Sequence, residues 1–511
     1  MGRRLGFASS VFVYCLAALV ALASSTRAQT TGSIAGWIAD SSGSRLPGVT
    51  VEASSPRLQG IRVAVTGSDG SYRLPALPPG LYTVRASLPG FAGIEKAATV
   101  TLDTTSTVNM TLRLSLKEEV LVSGETSLVD TTSTTTGTNY SNKVIGHLPV
   151  DRNYAEIVRA NPGVFTDRGD TQGRSLALSI YGATSAENQW IIDGVNTTHV
   201  EKGIQGKAIN SEFIEEVEVK TGGYQAEYGR ALGGVVNVIT KSGGNTFHGD
   251  GFLYYDATPM RAQRVFTAQD SEASGMRLAD YRRTDFGLDL GGFLIKDRLW
   301  FFAAYDRVEF PGKVSTVGDS NALVPSSMTF PLKGTDNLYS GKLTWNIARS
   351  STLVATVFAD PTENSGVGDA DPRQGVANVG LITNPDPGTW KSSRFIGGTD
   401  YAVRFQQLVG SRGLATLQAS RHQDHYWLKP SSRDVRLSDW TCDGGTPDKP
   451  CDWPAFENLD IGGFGFVYGP SDQTNSRRDQ YRADWNLYLG AHDIKIGADH
   501  QSSRTTSGAS F

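Results

Sequence analysis

The histidines and cysteines of this 511-residue chain are the first place to look for chemistry, and their spacing assembles none. His147, His199, His248, His492 and His500 stand alone. His422 and His425 are three apart, which on a strand puts them on opposite faces and argues against a shared metal. Serine, aspartate and glutamate are plentiful, yet no nucleophile elbow or phosphate-binding loop occurs. Asp193-Gly194 resembles a catalytic loop only superficially; a turn is the plainer reading. The expectation is no enzyme, no cofactor and no resident metal. Cys442 and Cys451 flank a loop-like stretch with Asp443-Gly444-Gly445 and Pro447. In an oxidising compartment they are expected to close a small disulfide loop. A metal site is the alternative, without a second Cys or His pair to complete it.

The elements that carry these residues point to export and to strands. Arg3 and Arg4 precede an apolar run from Val11 to Leu22, and Thr26-Arg27-Ala28 suits a signal peptidase, so residues 1–28 read as a signal peptide. The run is short for a membrane anchor, which is the other reading. Cys15 would be lost with this leader, and Tyr14 before it does not suit a lipoprotein site. No later apolar run reaches spanning length, so membrane insertion must use strands. A net charge of −4 gives no footing for a nucleic-acid partner. The 57 glycines and 21 prolines fit turns between strands, and the length calls for several domains.

Residues 29–115 alternate as a small β-sandwich, with turn signals at Ser68-Asp69-Gly70, Pro78-Pro79-Gly80 and Pro89-Gly90. Through Leu46-Pro47-Gly48-Val49 and Gly70-Ser71-Tyr72-Arg73-Leu74 this region resembles the carboxypeptidase regulatory-like domain, a transthyretin-like fold. The resemblance implies an accessory module without catalytic residues.

Residues 125–245 hold Ala160-Asn161-Pro162-Gly163-Val164, Trp190-Ile191-Ile192-Asp193-Gly194-Val195-Asn196, and Glu218-Val219-Lys220-Thr221-Gly222-Gly223-Tyr224. They close on Gly233-Gly234-Val235-Val236-Asn237-Val238-Ile239-Thr240-Lys241. These segments are similar to the plug of TonB-dependent outer-membrane receptors, most closely the Oar-like subgroup with an N-terminal sandwich. Tyr181 stands before Gly182 where many plugs have Arg, which argues for that branch over siderophore receptors. The charged Glu215, Glu216, Glu218, Lys220, Glu227 and Arg230 are expected to meet a polar barrel wall. Residues 116–124 alone read as an acidic start and a short aliphatic strand. Placed before a plug, Glu118, Glu119, Val120, Leu121, Val122 and Ser123 resemble a TonB box. That resemblance implies capture by a TonB-type periplasmic protein through strand addition.

Residues 246–511 alternate as strands with one apolar and one polar face. Tyr481, Ala483, Trp485, Leu487 and Leu489 oppose Arg482, Asp484, Asn486 and Tyr488. Charges at mid-bilayer cost roughly 2–4 kcal/mol each for Lys or Arg, so the face with Arg482 and Lys495 is expected to be the lumen. Residues 360–395 and 429–475 are expected to be outside loops. The fold class is thus all-β dominated: an N-terminal sandwich, an α+β plug and part of a transmembrane antiparallel barrel. About ten strands can be counted where the resemblance implies twenty-two, so the chain is expected to be a fragment of a barrel that cannot leave an edge open in lipid. The implied function is ligand uptake driven by the inner-membrane proton gradient, with a glycan, peptide or chelate as ligand. Adhesion or protein export, also associated with the Oar-like subgroup, is the alternative. The implied setting is the outer membrane, with a periplasmic N-terminal domain.

Overall fold

The computed structural model describes residues 30–55, 60–115, 120–123, 134–168, 177–225, 227–260, 276–316, 329–348, 350–367, 391–410, 413–430, 472–489 and 492–509. The expected signal peptide, Glu118, Glu119, Cys442 and Cys451 lie outside the described residues.

The N-terminal unit is built from β1 (Gly32–Asp40), β2 (Thr50–Ser54), β3 (Arg62–Val65), β4 (Ser71–Leu77), β5 (Gly80–Ser87), β6 (Phe91–Val100), β7 (Thr105–Thr107) and β8 (Met110–Leu114). One leaf runs β3-β2-β5-β6 and the other β8-β1-β4. They join where Phe91 and Ala92 of β6 pair with Leu114 and Arg113 of β8. Period-two alternation fills the space between the leaves: Tyr82, Val84 and Ala86 of β5 are buried while Leu81, Thr83 and Arg85 are exposed. Ile34, Ile38, Val51, Val100 and Met110 complete that core. A further strand, β9 (Val120–Ser123), lies parallel to β6.

The plug comprises β10 (Thr136–Ser141), α1 (Asn142–Ile145), α2 (Tyr154–Arg159), β11 (Val164–Arg168), β12 (Ala177–Ile180), β13 (Gln189–Ile192), β14 (Val195–Asn196), β15 (Ile214–Gly222) and β16 (Val235–Thr240). Its main sheet has the order β10-β15-β16-β13-β14. The β-branched run of β16 is buried along its whole length, as a strand covered on both faces should be. The Asn153 side chain accepts from the Ala155 N–H and caps α2, which then buries Tyr154, Ala155, Ile157 and Val158. These pack with Trp190, Ile192, Phe213, Val217 and Val236.

Eleven antiparallel strands follow in one sheet: β17 (Gly251–Ala257), β18 (Met276–Ile295), β19 (Leu299–Thr316), β20 (Thr329–Ala348), β21 (Ser351–Ala359), β22 (Thr362–Val367), β23 (Lys391–Gly397), β24 (Thr399–Val409), β25 (Gly413–Pro430), β26 (Asp472–Leu489) and β27 (His492–Ala509). Both β21 and β22 pair with β20, and both β23 and β24 pair with β25. Each couple is therefore one long barrel strand broken once, at Asp360-Pro361 and at Gly398. Proline cannot donate to a ladder, which explains the first break. Strands thus reach into the stretches expected to be loops, as β22 and β23 in the first and the start of β26 in the second. The remainder of both stretches lies outside the described residues.

The expected sorting of faces holds. On β26, Tyr481, Trp485 and Leu489 are exposed, whereas Arg482, Asp484 and Asn486 are buried. Lys495 of β27 turns inward and pairs with Glu227 of the plug.

Candidate functional site: plug anchors and the face beneath them

The plug is tied to the barrel wall by buried charges rather than by apolar packing alone. The central tie is at the double strand break. Lys207, on the plug segment between β14 and β15, sends its Nζ to Asp360 at 3.2 Å and Asp400 at 3.6 Å, with all three side chains nearly or fully buried. The same ammonium donates to the Gln423 carbonyl at 2.6 Å, and the Ala208 N–H donates to the second Asp360 oxygen at 2.8 Å. Gly398 makes room for this: a Cβ there would lie 2.2 Å from the Gln423 carbonyl oxygen and 3.1 Å from the Lys207 Nζ. Burial alone would lower the Lys207 ammonium, but Asp360, Asp400 and Asp424 outweigh it and hold it above the ordinary lysine value. Two histidines extend the cluster. His422 Nδ1 donates to Asp400 at 2.8 Å, and His199 Nε2 meets Asp424 at 3.1 Å.

A second tie uses Asp193, which has a left-handed φ of 48° and is followed by Gly194 at 83°. That turn aims the Asp193 carboxylate at Lys342 of β20, 2.9 Å away, and at the Thr240 hydroxyl. Lys342 also donates to the Thr240 carbonyl at 2.8 Å. Asp193 is thus a turn residue, as its sequence suggested, and also a buried anchor that no local signal revealed. Lys241 reaches Asp289 of β18 at 2.8 Å. Arg478 of β26 donates to the carbonyls of Asn196 and Thr198 at 3.1 and 2.8 Å.

The charges of β15 depart from expectation. Glu216 and Lys220 face the N-terminal sandwich, not the barrel wall. The Leu102 N–H donates to Glu216 at 2.9 Å, and Lys220 pairs with Asp103 at 2.7 Å and with Glu218 at 2.8 Å. The sandwich also reaches the barrel end that carries the short turns, where Arg73 meets Asp493 at 2.6 Å. Glu227 does meet the barrel, through Lys495.

Burial raises the Glu216 carboxyl to about 7, although the Leu102 N–H and the Asn139 amide pull it downward. A raised carboxyl takes up a proton as the structure forms, so its contribution is full below the ordinary carboxylate range and lost as pH rises through about 7. The sandwich–plug unit should therefore lose up to about 3 kcal/mol of stability between pH 5 and 8, read as a falling unfolding temperature. Glu216→Gln should reduce that dependence, with the remainder left to Glu218, whose carboxyl burial also raises to about 7. An unchanged slope in the variant would assign it elsewhere.

Among the described residues no cluster of His, Cys, Asp and Glu is arranged to hold a metal. What the site does show is a folded body held against the barrel wall by ion pairs, with a short strand ahead of it. The carboxypeptidase regulatory-like domain model matches residues 33–113, the TonB-dependent receptor plug domain model residues 128–235, and an outer membrane beta barrel domain model residues 239–329. The TonB-dependent transporter Oar of Myxococcus xanthus is 30% identical over 372 residues, which is 66% of this chain and 34% of that protein. The ferrienterobactin receptor of Escherichia coli (strain K12) is 33% identical over 124 residues, 21% of this chain and 17% of that one. Among solved structures, the outer membrane transporter YddB from Escherichia coli aligns with a TM-score of 0.47 at 14% identity, covering 73% of this chain and 52% of that one. The chain spans about a third of the length of the Oar relative. The chain thus carries, in order, a regulatory-like domain, a TonB-dependent receptor plug and the start of an outer-membrane barrel, and it is similar to the TonB-dependent transporter Oar. Its place is the outer membrane, and its relatives are receptors and transporters rather than enzymes.

Proposed function

We propose that the intact protein takes up an extracellular ligand across the outer membrane, with a TonB-type periplasmic protein pulling on Glu118–Ser123 and so remodelling the plug. The observation that carries this is the set of buried plug-to-wall ion pairs around Lys207 and Asp193. Such pairs hold firmly until one partner is displaced, and then leave an uncompensated charge, which suits a stopper moved by force rather than by diffusion. The energy would come from the inner-membrane proton gradient, and no nucleotide site is needed. Ligand chemistry is set by the outer loops; glycans, peptides and metal chelates all suit this architecture. Deleting residues 118–123 from the full-length protein should abolish energy-dependent uptake while leaving its level in the outer membrane unchanged. Persistent uptake by that variant would refute the reading.

A further inference from the structure

We propose that the edge of the N-terminal sandwich presents the box-like strand to its periplasmic partner, as a pre-extended strand with its outer edge open. This deepens the uptake reading and rests on the assignment of residues 118–123 as the box.

The register is explicit. Val120, Leu121, Val122 and Ser123 of β9 lie parallel to Gly93, Ile94, Glu95 and Lys96 of β6. On its other side β6 is filled by β5, with Ile94 opposite Ala86 and Lys96 opposite Val84. Among the described residues β9 pairs with β6 alone, so it is the terminal strand of that leaf. An edge strand offers one row of backbone donors and acceptors, which is what strand addition consumes. Pairing with β6 occupies the inner row and leaves the outer one. It also fixes the backbone in the conformation the partner requires, so ordering the segment is no longer charged against binding.

The presenting edge is itself held in place. Asp103 and Leu102, on the turn that follows β6, engage Lys220 and Glu216 of the plug, and Arg73 engages Asp493 of the barrel. The box-like strand therefore has a fixed address at the periplasmic end of the receptor. The pairing is also weak enough to yield. It is four residues long and parallel, a geometry slightly less stable per residue than antiparallel. A pull on β9 would peel it from β6 before disturbing the antiparallel β5–β6 ladder of seven pairs.

The test uses the full-length receptor and the purified periplasmic domain of the TonB-type protein, with binding measured by titration. Glu95→Cys with Val122→Cys, in a chain whose Cys442 and Cys451 are replaced by serine, locks β9 to β6 when oxidised, because the two positions are direct register partners. Binding should be retained within about threefold on oxidation, since the outer edge stays open. Gly93→Pro puts a rigid ring and a fixed φ at the first position of the β9 junction, outside the β5 register, and should weaken binding about tenfold by releasing the strand. Loss of binding on oxidation, restored by reductant, would overturn the proposal and make β6 a sequestering edge instead. Tighter binding by Gly93→Pro would overturn it in the same way. Deletion of residues 118–123 separates the two levels: unchanged binding there would remove the box assignment itself, and the proposal with it.

Discussion

Lys207→Met is expected to loosen the seated plug by about 3–5 kcal/mol, the range found when one partner of a buried ion pair is removed. The size follows from what remains. Asp360 and Asp400 have side chains that are 3% and 0% exposed, and Asp424 lies in the same cluster. Methionine keeps the volume and removes the positive charge, so three carboxylates would face one another beside a break in two barrel strands. Water would have to enter, or the plug segment between β14 and β15 would have to leave. Hydrogen exchange on the full-length protein should show faster exchange around residues 197–210, with the exchange of β25 and β26 unchanged. Adding Asp360→Asn should recover part of the loss, because it removes one stranded charge. If the single variant kept wild-type protection, the cluster would not be holding the plug.

Lys207 also marks where sequence reading stops. Its partner Asp360 is 153 positions away, and neither residue sits in a pattern that announces a buried pair. Lys207 follows Gly206, and Asp360 precedes Pro361, so each looks like an ordinary loop residue. Pro361 is legible as a breaker but falls in the stretch expected to be a loop, because nothing local says that a strand resumes beyond it. Period-two patterns were far more informative. The alternation of Tyr481 to Leu489 carried both strand and facing, since lipid tolerates no inward–outward slip of Arg482. For Glu216 and Lys220 the strand was legible and the partner was not. Their parity puts them on one side of β15, but only docking of the sandwich decides what that side meets.

Trp190→Ala is expected to cost about 3–5 kcal/mol and to melt the plug from within, without releasing it from the wall first. Trp190 is fully buried on β13, and Tyr154 of α2 meets its ring edge-on at a centroid distance of 5.7 Å. The indole joins the helix to the central sheet, so truncation leaves a cavity between the two. Its own strand and the edge strand next to it are short: β13 has four residues and β14 two, too few to hold register when the helix lifts away. The readout separates this variant from Lys207→Met. Exchange should accelerate across α2, β13 and β16 together, while the Lys207 cluster is lost only as a consequence. Limited proteolysis should then cut inside the plug core, whereas Lys207→Met should be cut first in the anchoring segment. If both variants gave the same cleavage pattern, the core and the anchors would be one cooperative unit. A pull on the strand ahead of the plug would then have to unfold the whole plug, not merely unseat it.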